Sequence, residues 1–154
     1  MSRGSFVIDN GKIISAENTF MSSENRSYKY GDGLFETIRT IKGQMPFWDF
    51  HIQRLKSGLD ILEIEAKLFD WNKLKEECAE LLEMNKHDKG GKVRLSFYRS
   101  GEGSYFPNSN KAAYIMESFA LENEKFTLNP KGVQIDFYSR IILRLCFIGG
   151  KVIN

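Results

Sequence analysis

Residues 26–62, RSYKYGDGLFETIRTIKGQMPFWDFHIQRLKSGLDIL, decide the fold, because the hydrophobic period changes inside them from two to three-and-four. The stretch opens on a glycine turn at Gly31 and Gly33, where the missing Cβ admits left-handed or closely approached backbone. Residues 34–41 then alternate as a strand does, with Leu34, Glu36, Ile38 and Thr40 on one face and Phe35, Thr37, Arg39 and Ile41 on the other. Lys42 and Gly43 mark a turn, after which residues 44–48 are expected to pair back as the second arm of a hairpin. From Asp49 onward Ile52, Leu55, Leu59 and Leu62 recur at helical spacing. That predicts a helix and sets His51 and Arg54 three apart on one of its faces. A guanidinium held there can grip a phosphate or carboxylate through two parallel hydrogen bonds.

Toward the amino terminus, residues 5–8 and 12–15 flank Asp9, Asn10 and Gly11, and Asn-Gly between two β-prone runs predicts an opening hairpin. Residues 16–27 are polar and rich in serine and asparagine, which favours turns over regular structure. Beyond the first helix, Asp70 is placed to cap a second over residues 71–85. Leu74, Cys78, Leu81 and Leu82 form its apolar face, while Lys73, Lys75, Glu76, Glu77 and Glu80 are expected to meet water. Residues 92–98 alternate as a strand, 99–107 are a glycine-bearing loop, and 112–121 return as another strand. Residues 132–138 alternate once more after the break at Asn129 and Pro130. The sum is an α+β domain, a mostly antiparallel sheet with two packing helices.

A length of 154 residues with 42% hydrophobic content suits one domain with a real core and is short for two. The net charge of +2 offers no stripe for nucleic acid or an anionic membrane. Residues 86–92, with Gly90 and Gly91, read as a solvated connection, and His87 as a solvated residue with no role. Cys78 and Cys146 sit in apolar surroundings without CxxC or Cys/His spacing. They read as buried free thiols in a reducing compartment, and no metal site is expected. No apolar run approaches the roughly 18 residues that span a bilayer, and the first residues lack the long apolar core of a secretion signal. A cytoplasmic location is therefore expected.

YGDGLFET, followed one hairpin later by HIQRL, resembles the amino-terminal signature of the class IV aminotransferases, the fold-type IV pyridoxal phosphate enzymes. Branched-chain aminotransferases, D-amino-acid aminotransferases and aminodeoxychorismate lyases belong to that family. The resemblance implies the same small α+β domain, an amino-acid or keto-acid substrate, pyridoxal phosphate as cofactor and a homodimer. It implies that Arg54, the Arg of the H-x-x-R-L segment, reaches the cofactor phosphate. From spacing alone, Arg54 reads more simply as a solvated helix arginine lying along Asp49 or Asp60; beside YGDGLFET the anion reading prevails.

By the same resemblance Tyr30 and Phe35 line the substrate side of the pocket, although by its chemistry alone Phe35 suits the core. Glu36, a strand carboxylate among apolar residues, needs a partner such as an arginine and reads as half of a structural ion pair. Arg94 on the strand and Arg99 at the loop entrance are candidates for a substrate carboxylate, which an arginine holds bidentately; a surface or edge-strand charge explains either equally well. The loop itself, RSGEGSYFP, is loosely similar to the family's R-G-x-G-x-x-x-Y-x-P, with Ser100 where glycine is common.

The chemistry also needs an amine that condenses with the cofactor aldehyde and then moves the α-proton. Lys151 stands at about the implied distance for that lysine, in the run SRIILRLCFIGGKVIN. The run is unlike the family's small, serine- and threonine-rich approach. Residues 1–139 are thus expected to be the family's amino-terminal domain and 140–154 an apolar tail departing from it, through truncation or a frame-shift. Reduced or absent activity is the corollary. The alternative is a non-catalytic α+β module for dimerisation or anion binding.

Overall fold

The computed structural model describes residues 2–19, 21–67, 69–121 and 130–135, and the backbone alone of 146–148 and 151–153. Strand β1 (Arg3–Asp9) turns back into β2 (Lys12–Ser15) through Asn10 and Gly11, both at positive φ (49° and 80°). Such backbone matches the twist of the flanking strands, which is why Asn-Gly announced this hairpin. A 3-10 turn (Ala16–Asn18) leads on to the short helix α1 (Arg26–Tyr30), which the irregular reading of residues 16–27 did not foresee. Asn25 caps it by accepting from the Ser27 N–H, and Gly31 closes it at φ 67°. None of its residues is buried, so it left no apolar period to find.

Strand β3 (Gly33–Ile41) runs into helix α2 (Trp48–Ile61), and α3 (Trp71–Met84) follows behind the Asp70 cap, whose carboxylate accepts from the N–H groups of Asn72 and Lys73. Strands β4 (Gly90–Arg99) and β5 (Ala112–Ala120) complete a five-stranded antiparallel sheet in the order β2-β1-β5-β4-β3. The expected pairing of residues 44–48 with β3 is corrected: only a single bridge, Ile41 to Gln44, forms there, and β3 pairs instead with β4 along its whole length. Trp48 is needed to start α2, and the N–H groups of Lys42 and Gly43 bond to the Lys89 and Asp88 carbonyls. Of the strand expected at 132–138, residues 132–135 are not in a strand and the rest lie outside the described residues. In the tail, β6 (Cys146–Ile148) pairs antiparallel with β7 (Lys151–Ile153).

The core lies between the sheet and α2 and α3. Ile38, Val93, Leu95, Phe97, Met116 and Ile8 face Ile52, Leu55, Leu59, Leu74, Leu81 and Leu82, all buried. Cys78 is buried, and burial pushes its thiol pKa well up, so it is an inert core residue.

Two polar residues, Glu77 and His87, and two glycines were expected in water and are buried instead. Glu77 accepts a hydrogen bond from the Tyr114 hydroxyl at 2.6 Å, the partner that makes a carboxylate tolerable there. Gly90 and Gly91 are buried strand residues, and a Cβ on Gly91 would meet the His87 and Phe119 carbonyls at 3.0 and 3.1 Å. His87 is buried, with Nδ1 3.0 Å from the Ser118 hydroxyl, which also accepts from the Asn85 amide.

Burial lowers the His87 pKa against the opposing pull of Asp88. The folded state therefore resists the proton that the unfolded chain takes up. This contribution is complete above the ordinary imidazole pKa of 6.5 and is lost as pH falls below it toward the depressed folded value. Melts between about pH 7.5 and 5 should show wild type losing more stability with acid than His87→Gln; equal pH slopes would refute the assignment.

Candidate functional site

Two clusters of polar side chains converge on β3, the edge strand. The first follows from α2 lying close on β3. Gly58 permits that approach, since a Cβ there would sit 2.5 Å from Leu34 Cδ1. Glu36 points from β3 toward the helix, and its carboxylate collects three donors. Arg54 Nε reaches Oε1 at 2.9 Å, Arg54 Nη2 reaches Oε2 at 2.6 Å, and His51 Nδ1 lies 2.8 Å from Oε2. Burial alone would disfavour the charged carboxylate; the hydrogen bonds and charges of Arg54 and His51 outweigh it and hold the Glu36 pKa below its usual value. The expected ion pair for Glu36 thus has Arg54 as its partner, and Asp49 and Asp60 are not involved. Arg54 remains 63% exposed, and its Nη1 has no partner among the described residues.

On the other face of β3, Phe35 is exposed and the Arg94 guanidinium lies over its ring, 3.7 Å from the centroid. Phe35 is therefore not a core residue. Arg94 stands opposite Thr37 on one side and Glu117 on the other, and Glu117 is taken by Arg3 at 2.9 Å.

The second cluster centres on Asp32, between the two glycines of the turn. Arg26 Nε donates to Oδ2 at 2.7 Å and Arg99 Nε to the same oxygen at 2.8 Å, with all three side chains nearly buried. Arg99 also donates through Nη1 to the Glu63 carbonyl and the Asn110 side chain, and through Nη2 to the Leu62 carbonyl and Asp32 Oδ1. No N–H of Arg99 is left to meet an incoming carboxylate, so it occupies a bracing position where an open substrate grip was expected. Arg26 Nη1 holds the carbonyls of Gly103 and Ser104 at 2.9 and 2.8 Å, and its guanidinium lies 4.9 Å from the exposed Tyr30 ring. One carboxylate thereby ties together α1, the glycine turn, the end of α2 and loop 100–110. Asp32 and Arg26 were missed in the sequence reading. Spacing carries no signal for a contact between residues 67 apart.

Pyridoxal phosphate presents a phosphate ester at one end and an aldehyde at the other. The phosphate end fits what is here, since Arg54 offers an exposed guanidinium whose position is fixed from behind. For the aldehyde end, Lys151 lies on β7, where the backbone alone is described. Among the described residues no His, Cys, Asp and Glu side chains gather closely enough to hold a metal ion, and no helix is long and apolar enough to cross a membrane.

Residues 33–139 match the family model of the class IV amino-transferases, and the chain belongs to that family. An aminodeoxychorismate lyase of Vibrio harveyi is 30% identical over 112 residues, which are 72% of this chain and 40% of that protein. A D-alanine aminotransferase of Bacillus licheniformis is 32% identical over 85 residues, 55% of this chain and 30% of that one. In structure, the branched-chain amino acid aminotransferase of Escherichia coli superposes with a TM-score of 0.68 at 18% identity, over 77% of this chain and 40% of that one. The branched-chain aminotransferase of Thermoproteus uzoniensis with norvaline gives 0.66 at 20%, over 76% and 41%. The chain thus spans less than half the length of these proteins, and the fold is that of their amino-terminal part.

Burial opposes ionisation of Asp32, but the hydrogen bonds and charges of Arg99 and Arg26 prevail and depress its pKa. Its contribution is present above the ordinary value of 3.8 and is lost as pH falls through the depressed one. Asp32→Asn leaves two guanidiniums without their shared anion and should lower unfolding free energy by about 3 kcal/mol in urea titration at neutral pH. A loss below about 0.5 kcal/mol, the range of an ordinary surface change, would contradict the bracing role.

Proposed function

We propose that this chain is the amino-terminal portion of a pyridoxal phosphate-dependent class IV aminotransferase or aminodeoxychorismate lyase acting on an amino-acid-like substrate. Residues 1–139 are that domain and 140–154 depart from it. The observation that carries the reading is Arg54, exposed at the sheet edge with its orientation fixed by Glu36. Arg54 would hold the cofactor phosphate. Arg94 and Phe35, with Tyr30 by α1, would form the substrate side, Arg94 offering a guanidinium to the substrate carboxylate. Arg54 and Phe35 lie on opposite faces of β3, so a cofactor and substrate reaching both would lie across the edge of that strand, which no described strand pairs. Arg99 would act indirectly, by bracing the turn beside Tyr30.

Bound pyridoxal phosphate supplies an electron sink for charge developing at the substrate α-carbon. Lys151 would carry the cofactor and accept the α-proton. Residues 140–154, unlike the family's small, serine- and threonine-rich approach to its lysine, would leave the chain with low activity, and a cytoplasmic homodimer is the natural assembly for a site shared near a subunit contact. The second reading, an anion-binding module without catalysis, draws on the same Arg54.

Purified chain incubated with pyridoxal phosphate, trapped with borohydride and mapped by peptide mass should carry the label at Lys151, and Lys151→Ala should lose the accompanying visible absorbance. No label at Lys151 would refute catalysis by this chain. Stabilisation by phosphate without any label would favour the anion-binding module.

A further inference from the structure

We propose that Glu36 is a positioning residue for anion binding: it fixes Arg54 from one edge so that the other edge of the guanidinium faces an incoming phosphate. The proposal rests on the reading of Arg54 as the phosphate contact given above, and adds a residue that acts through it.

Arg54 projects from the solvent-facing side of α2, where a long side chain with no partner samples many rotamers. Glu36 removes that freedom. Its own side chain is only 12% exposed, and its backbone is locked by pairing with Leu95 in the ladder between β3 and β4. Its two oxygens take Nε and Nη2 of Arg54, the fork geometry that fits a planar guanidinium to a carboxylate. Nη1 then points away from Glu36, and no described residue takes it. His51 completes the arrangement. Because a carboxylate only accepts, the short contact to Oε2 requires a proton on His51 Nδ1. Nδ1 also stands 3.1 Å from Arg54 Nη2, so the imidazole packs against the guanidinium's flank.

Two effects of Glu36 on a bound anion oppose each other, and their signs separate the proposal from its rivals. As a negative charge next to the guanidinium, Glu36 weakens anion binding; as a holder, it strengthens binding by ordering the fork in advance. If charge dominates, Glu36→Gln binds anions more tightly. If positioning dominates, Glu36→Gln binds them more weakly.

The test measures dissociation constants for pyridoxal 5′-phosphate, inorganic phosphate and phosphate-free pyridoxal at constant ionic strength. Thermal shift and the Arg54 Nε–H resonance provide the readouts. Wild type should bind the two phosphate-bearing probes and lose that preference in Arg54→Gln. Glu36→Gln should weaken phosphate binding by about tenfold, the scale set by ordering one long side chain. In the Arg54→Gln background it should change nothing further. Glu36→Asp keeps the charge and withdraws the carboxylate by one methylene, and it too should bind phosphate more weakly; it decides the matter if Glu36→Gln fails to fold. Equal or tighter phosphate binding in either Glu36 variant, with binding still dependent on Arg54, overturns the positioning role alone. Wild type without an Arg54-dependent phosphate response overturns the phosphate reading and this proposal with it.

Discussion

The carboxylate of Asp32 is the point through which the front of this molecule is held in shape. It sits in a tight turn between two glycines and bridges two nearly buried guanidiniums, Arg26 and Arg99. Arg99 spends its remaining donors, and Arg26 its Nη1, on backbone carbonyls or an amide from another segment. The surroundings are loop backbone, which lacks a ladder of its own, so charge-assisted bonds do here what strand pairing does in the sheet. Taking out one partner leaves a buried charge uncompensated, which makes such a cluster costly to break even where its net contribution to folding is small.

The two arginine clusters divide their work in a way that residue type alone does not announce. Arg99 and Arg54 are the same side chain, and each meets a carboxylate. Arg99 is enclosed and has every donor engaged, so it can only brace. Arg54 is engaged along one edge, while its Nη1 has no partner among the described residues, so it is both fixed and exposed. Exposure and the count of occupied donors, more than the presence of a cation, separate an arginine that can only brace from one with a donor to spare.

Regular elements were legible wherever burial stamped a period on the sequence. The faces of β3, α2, α3 and β4 follow the alternation and the three-and-four spacing closely, and the turns at Asn10–Gly11 and the Asp70 cap announce themselves through local chemistry. What escaped was set at a distance or by polar contacts. α1 is too short and exposed to show a period. Glu77, His87 and Gly91 look hydrophilic or flexible in isolation, and only partners on β5, namely Tyr114, Ser118 and Phe119, explain their burial. At the candidate site, the family motif located Arg54 and Glu36, and the ion-pair reading of Glu36 anticipated an arginine partner. The Asp32 bracket needed the fold.

Strand β3 ends the sheet, and among the described residues only β4 pairs with it. Nine residues long, it presents a rim of peptide groups that no described strand pairs, far longer than that of β2, the four-residue strand at the opposite end. Such a rim is a template on which another polypeptide can add a ladder rung by rung. Glu36 and Arg39 place charge along it, which discourages indiscriminate stacking of one copy on the next. A second polypeptide that extends this sheet would therefore find its longest run of pairing partners along this border.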